Sequence, residues 1–184
     1  MKHFFSFAAL VILAAASCRS NKSFLERSNP DKSLQEAIKK LEKNPGNDDA
    51  LSAIPILYKE ILASHLANIN AARAGAGKNF SQWDNIIGEY EQLQKAYNRI
   101  INSTAAFTLV NPQNFSAELF EAKDSASLHY YNAAITLLEN KNRGELKKAY
   151  NYFEKADKIT PGYKDAKEKM KEAFENATVI AVIN

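Results

Sequence analysis

Residues 128–163 read LHYYNAAITLLENKNRGELKKAYNYFEKADKITPGY, and this stretch decides the fold. Its apolar positions recur at three-and-four spacing. Tyr130, Tyr131, Ala134, Ile135 and Leu138 form one run, and Leu146, Ala149, Tyr150, Phe153, Ala156 and Ile159 form a second. That spacing puts each run on one face of an α-helix. The polar segment 140–144 separates the runs, and Thr160-Pro161-Gly162 ends the second. Proline cannot continue a helix, and glycine tolerates the left-handed turn that follows one. A short polar connection makes the two helices antiparallel neighbours.

Working outward, the same period covers most of the chain. Asp31 or Ser33 is positioned to cap a helix with Leu34, Ala37, Ile38 and Leu41 on one side, ended by the Asn-Pro-Gly-Asn turn at 44–47. Asn47 or Asp48 caps a long helix with Leu51, Ile54, Leu57, Tyr58, Ile61, Leu62, Leu66 and Ile69 inside. Pro55 marks a kink or the true first turn. The segment 80–103, with Ser81 as its cap, is the most regular: Trp83, Ile86, Ile87, Tyr90, Leu93, Tyr97, Ile100 and Ile101 share a face, and that aromatic stripe reads as core. Residues 104–115 lose the period, so Phe107, Leu109 and Val110 are expected to pack as an ordered loop. A helix resumes at Ser116 with Leu119, Phe120 and Ala126 near the face of Tyr130. A last one carries Tyr163, Ala166, Met170, Ala173, Phe174 and Ala177.

The second run resembles the second half of a tetratricopeptide repeat. Ala149, Phe153, Ala156 and Pro161 stand at that family's spacings of four, three and five residues. Two small residues beside one aromatic let neighbouring helices approach closely around a single knob. Leu128, Tyr131 and Ile135 are similar to its first-helix positions. Asn132 departs from the usual glycine, and about five extra residues precede Gly144, which implies a longer first helix and a non-standard groove. The resemblance implies an all-α fold, an antiparallel helical-hairpin bundle or solenoid over 31–177, whose concave surface binds partner peptides or helices. His129, Tyr130 and Asn132, on the first repeat helix, are the expected partner contacts.

The N-terminus adds a place. Segment 1–17 has a basic start at Lys2 and an apolar run over 4–16, too short to span a bilayer comfortably, so it reads as a targeting segment. Leu13-Ala14-Ala15-Ala16-Ser17-Cys18 resembles a bacterial lipobox, with Ala15 where leucine is commonest. The resemblance implies cleavage after Ser17, lipidation of Cys18, and acyl chains that hold the protein to a membrane. Residues 18–30 then read as a polar tether. Arg19 after the cysteine, and the lack of an acidic cluster beyond it, favour the periplasmic face of an outer membrane, with surface exposure left open. A short helix, a long helix, a helix with Trp83-Asp84 and Ile86-Ile87 continuing to Tyr90-Glu91-Gln92-Leu93, then the repeat closed by Pro161-Gly162-Tyr163-Lys164-Asp165-Ala166, give most of the mature chain a resemblance to tetratricopeptide-like lipoproteins of Bacteroidota, a group with no settled activity to carry over. Asp124-Ser125-Ala126 resembles the O-glycosylation signal of that phylum's envelope proteins, which would modify Ser125.

Composition narrows the function classes. The chain has 184 residues, 46% hydrophobic and 24% charged, with 6 Gly and 5 Pro, a balance suited to a folded helical domain. A net charge of +3 with interspersed signs argues against nucleic acid as a partner. One cysteine permits no disulfide within a chain. The Gly-Lys at 77–78 lacks the upstream glycine, the following Ser or Thr and the preceding strand of a phosphate loop, so no nucleotide is expected. His65 and His129 show no zinc spacing, and the carboxylates, Glu89 among them, lie amid lysines as solvated charge. No metal, cofactor or catalytic residue is therefore expected, and an enzyme ranks third. The first expectation is an anchored binding or assembly scaffold with an envelope protein as partner. The alternative is carbohydrate capture for nutrient uptake, with Trp83 and the tyrosines as stacking platforms. The ending, 178–184, is β-branched and apolar. It reads as strand-like: a strand added to a partner, a segment folded onto the helices or, most favoured, the start of a following β domain.

Overall fold

The computed structural model describes residues 23–76, 79–140 and 142–183. The targeting segment, Cys18, the first part of the expected tether and Gly77-Lys78 lie outside the described residues. Among the described residues there are seven α-helices and no strand, so the fold is all-α. They are α1 (Pro30–Lys43), α2 (Asp48–Arg73), α3 (Ser81–Ile101), the single-turn α4 (Thr104–Phe107), α5 (Ser116–Glu139), α6 (Arg143–Ile159) and α7 (Ala166–Ile183). None is long and apolar enough to cross a membrane.

Helices α1, α2 and α3 pack on one another, α5 packs on α3, and α6 lies between α5 and α7. In the first group the apolar stripes close over one continuous core. Leu34, Leu41, Ile54, Leu57, Ile61, Ile69, Ile86, Leu93 and Ile100 are each no more than 1% exposed. Burying such a side chain contributes about 1.5–3 kcal/mol. In the second group the contacts are smaller and more aromatic. Phe153 is fully buried among the buried alanines Ala134, Ala149, Ala166 and Ala173, and Ala156 closes a second small cluster with Tyr130 and Tyr163. Ser127, buried on α5, is hydrogen-bonded to the Ala156 carbonyl (3.2 Å) and the Thr160 hydroxyl (2.9 Å), tying the two helices by a polar contact.

Several expectations need correction. The caps sit a little earlier than Asp31, Ser33 and Ser81. Asn29 accepts from the Lys32 amide, with Pro30 opening the helix; α3 has Phe80 at its cap position with no side-chain cap bond, and Asn79 just before it accepts from the Ser81 amide and hydroxyl. The tether does not run to residue 30. Phe24, in a short 3-10 turn, is buried in the core, Arg27 lies over its ring at 4.6 Å, and Ser23 donates to Asp49 at 2.7 Å. Residues 104–107 form a helical turn capped by Ser103, and Phe107 points outward (53% exposed). Leu109 and Val110 pack against the core as expected, and the backbone adds to their hold: the Gln113 amide donates to the Tyr58 hydroxyl (2.8 Å) and the Phe115 amide to Gln94 (2.9 Å). Phe120 and Phe174, expected inside, are 70% and 63% exposed.

The strand-like reading of 178–184 is also corrected, because α7 continues to Ile183. β-branched residues favour strands only where a pleated surface exists to receive them. Here the segment extends a helix already docked on α6 through Ala173 and Ala177, and the Thr178 hydroxyl donates back to the Phe174 carbonyl at 2.9 Å.

Candidate functional site

Helices α6 and α7 enclose a groove of about 400 Å³. Their connection is short, and Leu146 near the start of α6 shares the groove with Ala177 near the end of α7, so the walls run antiparallel. Leu146 and Tyr150 form the α6 wall. Ala173, Phe174 and Ala177 form the other, and the two alanines keep it shallow. Arg143 and Lys147, one helical turn apart, line the rim of α6, with Asn151 and Thr178 as its neutral polar groups. No carboxylate lines it, and every carboxylate ion pair among the described residues is made elsewhere. The groove is therefore apolar on its floor and cationic on one edge.

The expected partner contacts divide. His129 and Asn132 are exposed, whereas Tyr130 is 6% exposed. Its ring packs edge-on against Phe80 (5.5 Å) and Tyr152 (5.6 Å), and its hydroxyl donates to the Phe80 carbonyl (3.3 Å). Burial pushes this phenol above its ordinary range. Tyr130 is thus a core residue joining α5 and α6 to the start of α3, because two adjacent tyrosines lie about 100° apart and both turn inward. Tyr131 is half-buried beside Phe153 and donates to Asp165 at 2.5 Å; that bond holds its phenol up to about 12 and the Asp165 carboxyl below its usual range.

Trp83 does not offer an open stacking face for a sugar on its His129 side. The His129 ring lies 5.2 Å from it at 31°, and the indole N–H is buried with no acceptor among the described residues. Of the repeat positions, Ala149, Phe153 and Ala156 are fully buried, Pro161 lies exposed in the turn after α6, and Leu128 is exposed on α5. Ser125 is half-buried within α5, and Cys18 lies outside the described residues.

A second polar assembly brings together residues distant in sequence. His65 of α2 places Nε2 3.2 Å from the Asp31 carboxylate of α1 and Nδ1 against the Glu89 carboxylate of α3. Asn68 donates to the same Glu89 oxygen (3.3 Å), and Arg99 donates to the Asp31 carbonyl (3.4 Å). Both ring nitrogens donate only in the imidazolium form. The Asp31 hydrogen bond, reinforced by Glu89, raises the His65 pKa above its ordinary value although burial opposes it. Glu89 is thus not merely solvated charge. Three helices meet at this one imidazole, and no group of three or more side chains that could hold a metal ion occurs among the described residues. This assembly braces the fold.

The groove and the brace escaped the sequence reading for different reasons. Arg143 and Lys147 at i, i+4, and Phe174 beside Ala173 and Ala177, were visible signals of one cationic and one knobbed face. Asp31, His65 and Glu89 carry no local signal at all. In comparisons with known proteins, no family model matches this chain, and no curated protein or solved structure is significantly similar to it.

Proposed function

We propose that this protein is a non-catalytic helical scaffold, built from tetratricopeptide-like hairpins, that binds a protein partner while anchored by lipid on Cys18. The observation that carries the reading is the open groove between α6 and α7, a preformed concavity with an apolar floor and a charged edge. Antiparallel hairpins bury one face of each helix and leave the outermost helix, α7, with no helix on its far side, so the end of the array is where another chain fits. With an anchor at Cys18, the packed chain begins only five residues later (23 − 18 = 5). A leash of that length reaches at most about 18 Å, which holds the helices close to the membrane surface. The expected place is the periplasmic face of an outer membrane, and the partner another envelope protein.

The test is crosslinking and co-purification of the full chain from its own cells beside a Cys18→Ala variant. A defined protein partner that disappears with the anchor supports the scaffold. A clean protein that instead changes its Trp83 emission with one member of a glycan panel replaces this reading with carbohydrate capture.

A further inference from the structure

The α6–α7 groove has a shape and a charge that together specify its occupant, and this step rests on the scaffold reading above. We infer that the groove docks an acidic amphipathic helix of a partner protein, laid between α6 and α7 with its apolar stripe on Tyr150 and Phe174, over the buried Leu146, and its carboxylates on Arg143 and Lys147.

Shape argues for a helix. Two antiparallel helices with small residues on one wall form a furrow, lined from Arg143 to Asn151 on α6 and from Ala173 to Thr178 on α7, into which the side-chain ridge of a third helix fits at ordinary packing distance. Ala173 and Ala177 are buried at the bottom of that wall, while Phe174 stands beside them at 63% exposure as a knob whose ring meets Tyr150 across the groove at 6.4 Å and is otherwise open. An occupant presenting apolar residues at i, i+3 and i+4 covers the knob and fills the floor at once.

Charge argues for an acidic one. Arg143 and Lys147 make no ion pair among the described residues, and Glu145 and Lys148 on the same helix are turned to other faces by the helical period. Arg143 also opens α6, so the positive end of the helix dipole adds to the two side chains. A basic or neutral helix would leave this edge uncompensated. A second copy of the chain would bring the same two cations toward a surface that already holds them.

The experiment places the photocrosslinking residue p-benzoylphenylalanine at position 174 of the full chain in its own cells, and separately at the exposed position 132. Mass spectrometry identifies the crosslinked segment, and a synthetic peptide of that segment is titrated against purified protein by fluorescence anisotropy. The expected result is a crosslink at 174 to one helical segment with an apolar stripe flanked by Asp and Glu. Its peptide should bind at least tenfold more weakly to the folded Arg143→Glu/Lys147→Glu protein and to Phe174→Ala, with circular dichroism unchanged in both. A partner captured at 132 and not at 174 leaves the scaffold standing and overturns the groove assignment. A crosslink at 174 to an acyl chain or to a second copy overturns the acidic-helix occupant, as does a peptide indifferent to the charge reversal. No partner from either position overturns both readings.

Discussion

The two ends of this molecule solve the same packing problem with different materials. Helices α1–α3 close around branched aliphatic side chains and are cross-braced by the Asp31–His65–Glu89 assembly, so each helix touches the other two. Helices α5–α7 are arranged in series, with aromatic knobs set among alanines and single hydrogen bonds such as Ser127 to Ala156 between neighbours. The series ends at α7, and the groove between α6 and α7 lies at that end. The difference shows how one chain holds a rigid body and still presents an open edge: the aliphatic half supplies cohesion, and the alanine-rich half trades buried area for close helix approach.

Substitutions separate the halves by size of effect. Phe153→Ala removes the fully buried knob of the C-terminal half and should destabilise it by about 3–5 kcal/mol. Hydrogen exchange should then show α5–α7 losing protection while α1–α3 keep theirs. If protection falls equally everywhere, the halves are one cooperative unit and the distinction fails.

The brace is tested by pH. Because the folded pKa of His65 is raised, its contribution is complete below the unfolded value near 6.5 and disappears as pH rises through the raised folded value. His65→Gln should therefore be less stable than the parent by about 1–2 kcal/mol at pH 5.5, allowing for carboxylates about a quarter exposed. The gap should narrow through neutral pH and flatten above it, read as the difference between urea midpoints. A gap independent of pH would mean that packing, and not charge, holds the three helices.

A smaller effect belongs to Ser127→Ala. Losing that hydroxyl removes the partner of the Thr160 hydroxyl and the second of two bonds to the Ala156 carbonyl, which keeps the Thr160 amide, and costs about 1 kcal/mol. The loss should fall on the unfolding rate of the C-terminal half. Smallest of all is Lys158→Ala, which removes an exposed i, i+4 pair with Glu154 and should leave thermal midpoint and exchange protection unchanged.

Much of the fold was legible because helical burial repeats locally. The stripe Leu34–Leu41, the residues Ile54, Leu57, Ile61 and Ile69, and the trio Ala149, Phe153 and Ala156 are buried as their spacing requires, with Leu62 and Leu66 half-buried beside them. What failed was the side-to-side phase within a stripe. Phe120, Leu128 and Phe174 share the helical period with buried neighbours but fall on its outer margin, where the position of the next helix decides exposure. The tail failed differently, since a β-branched run takes the conformation of what precedes it when no sheet is present. Of the candidate contacts, His129 and Asn132 were placed correctly on the surface and Tyr130 was not, because the start of α3 covers it through Phe80. Nothing local in the sequence reports that crossing, nor the meeting of Asp31, His65 and Glu89.

The turn between α6 and α7 bears on how fast the groove is entered. Gly162 (φ 77°) and Lys164 (φ 47°) both take left-handed backbone, a conformation that costs a non-glycine residue about 1–2 kcal/mol. Lys164 is held there with its ammonium 4.7 Å above the Tyr131 ring, while Tyr131 grips Asp165 on the next residue. This fixes the vertex of the α6–α7 angle from one side of the chain to the other before any visitor arrives. For the acidic helix proposed to dock there, association should need no prior opening step, and its observed rate should climb in proportion to that helix's concentration without reaching a plateau. Loosening the vertex, by Tyr131→Phe, should bend that line over.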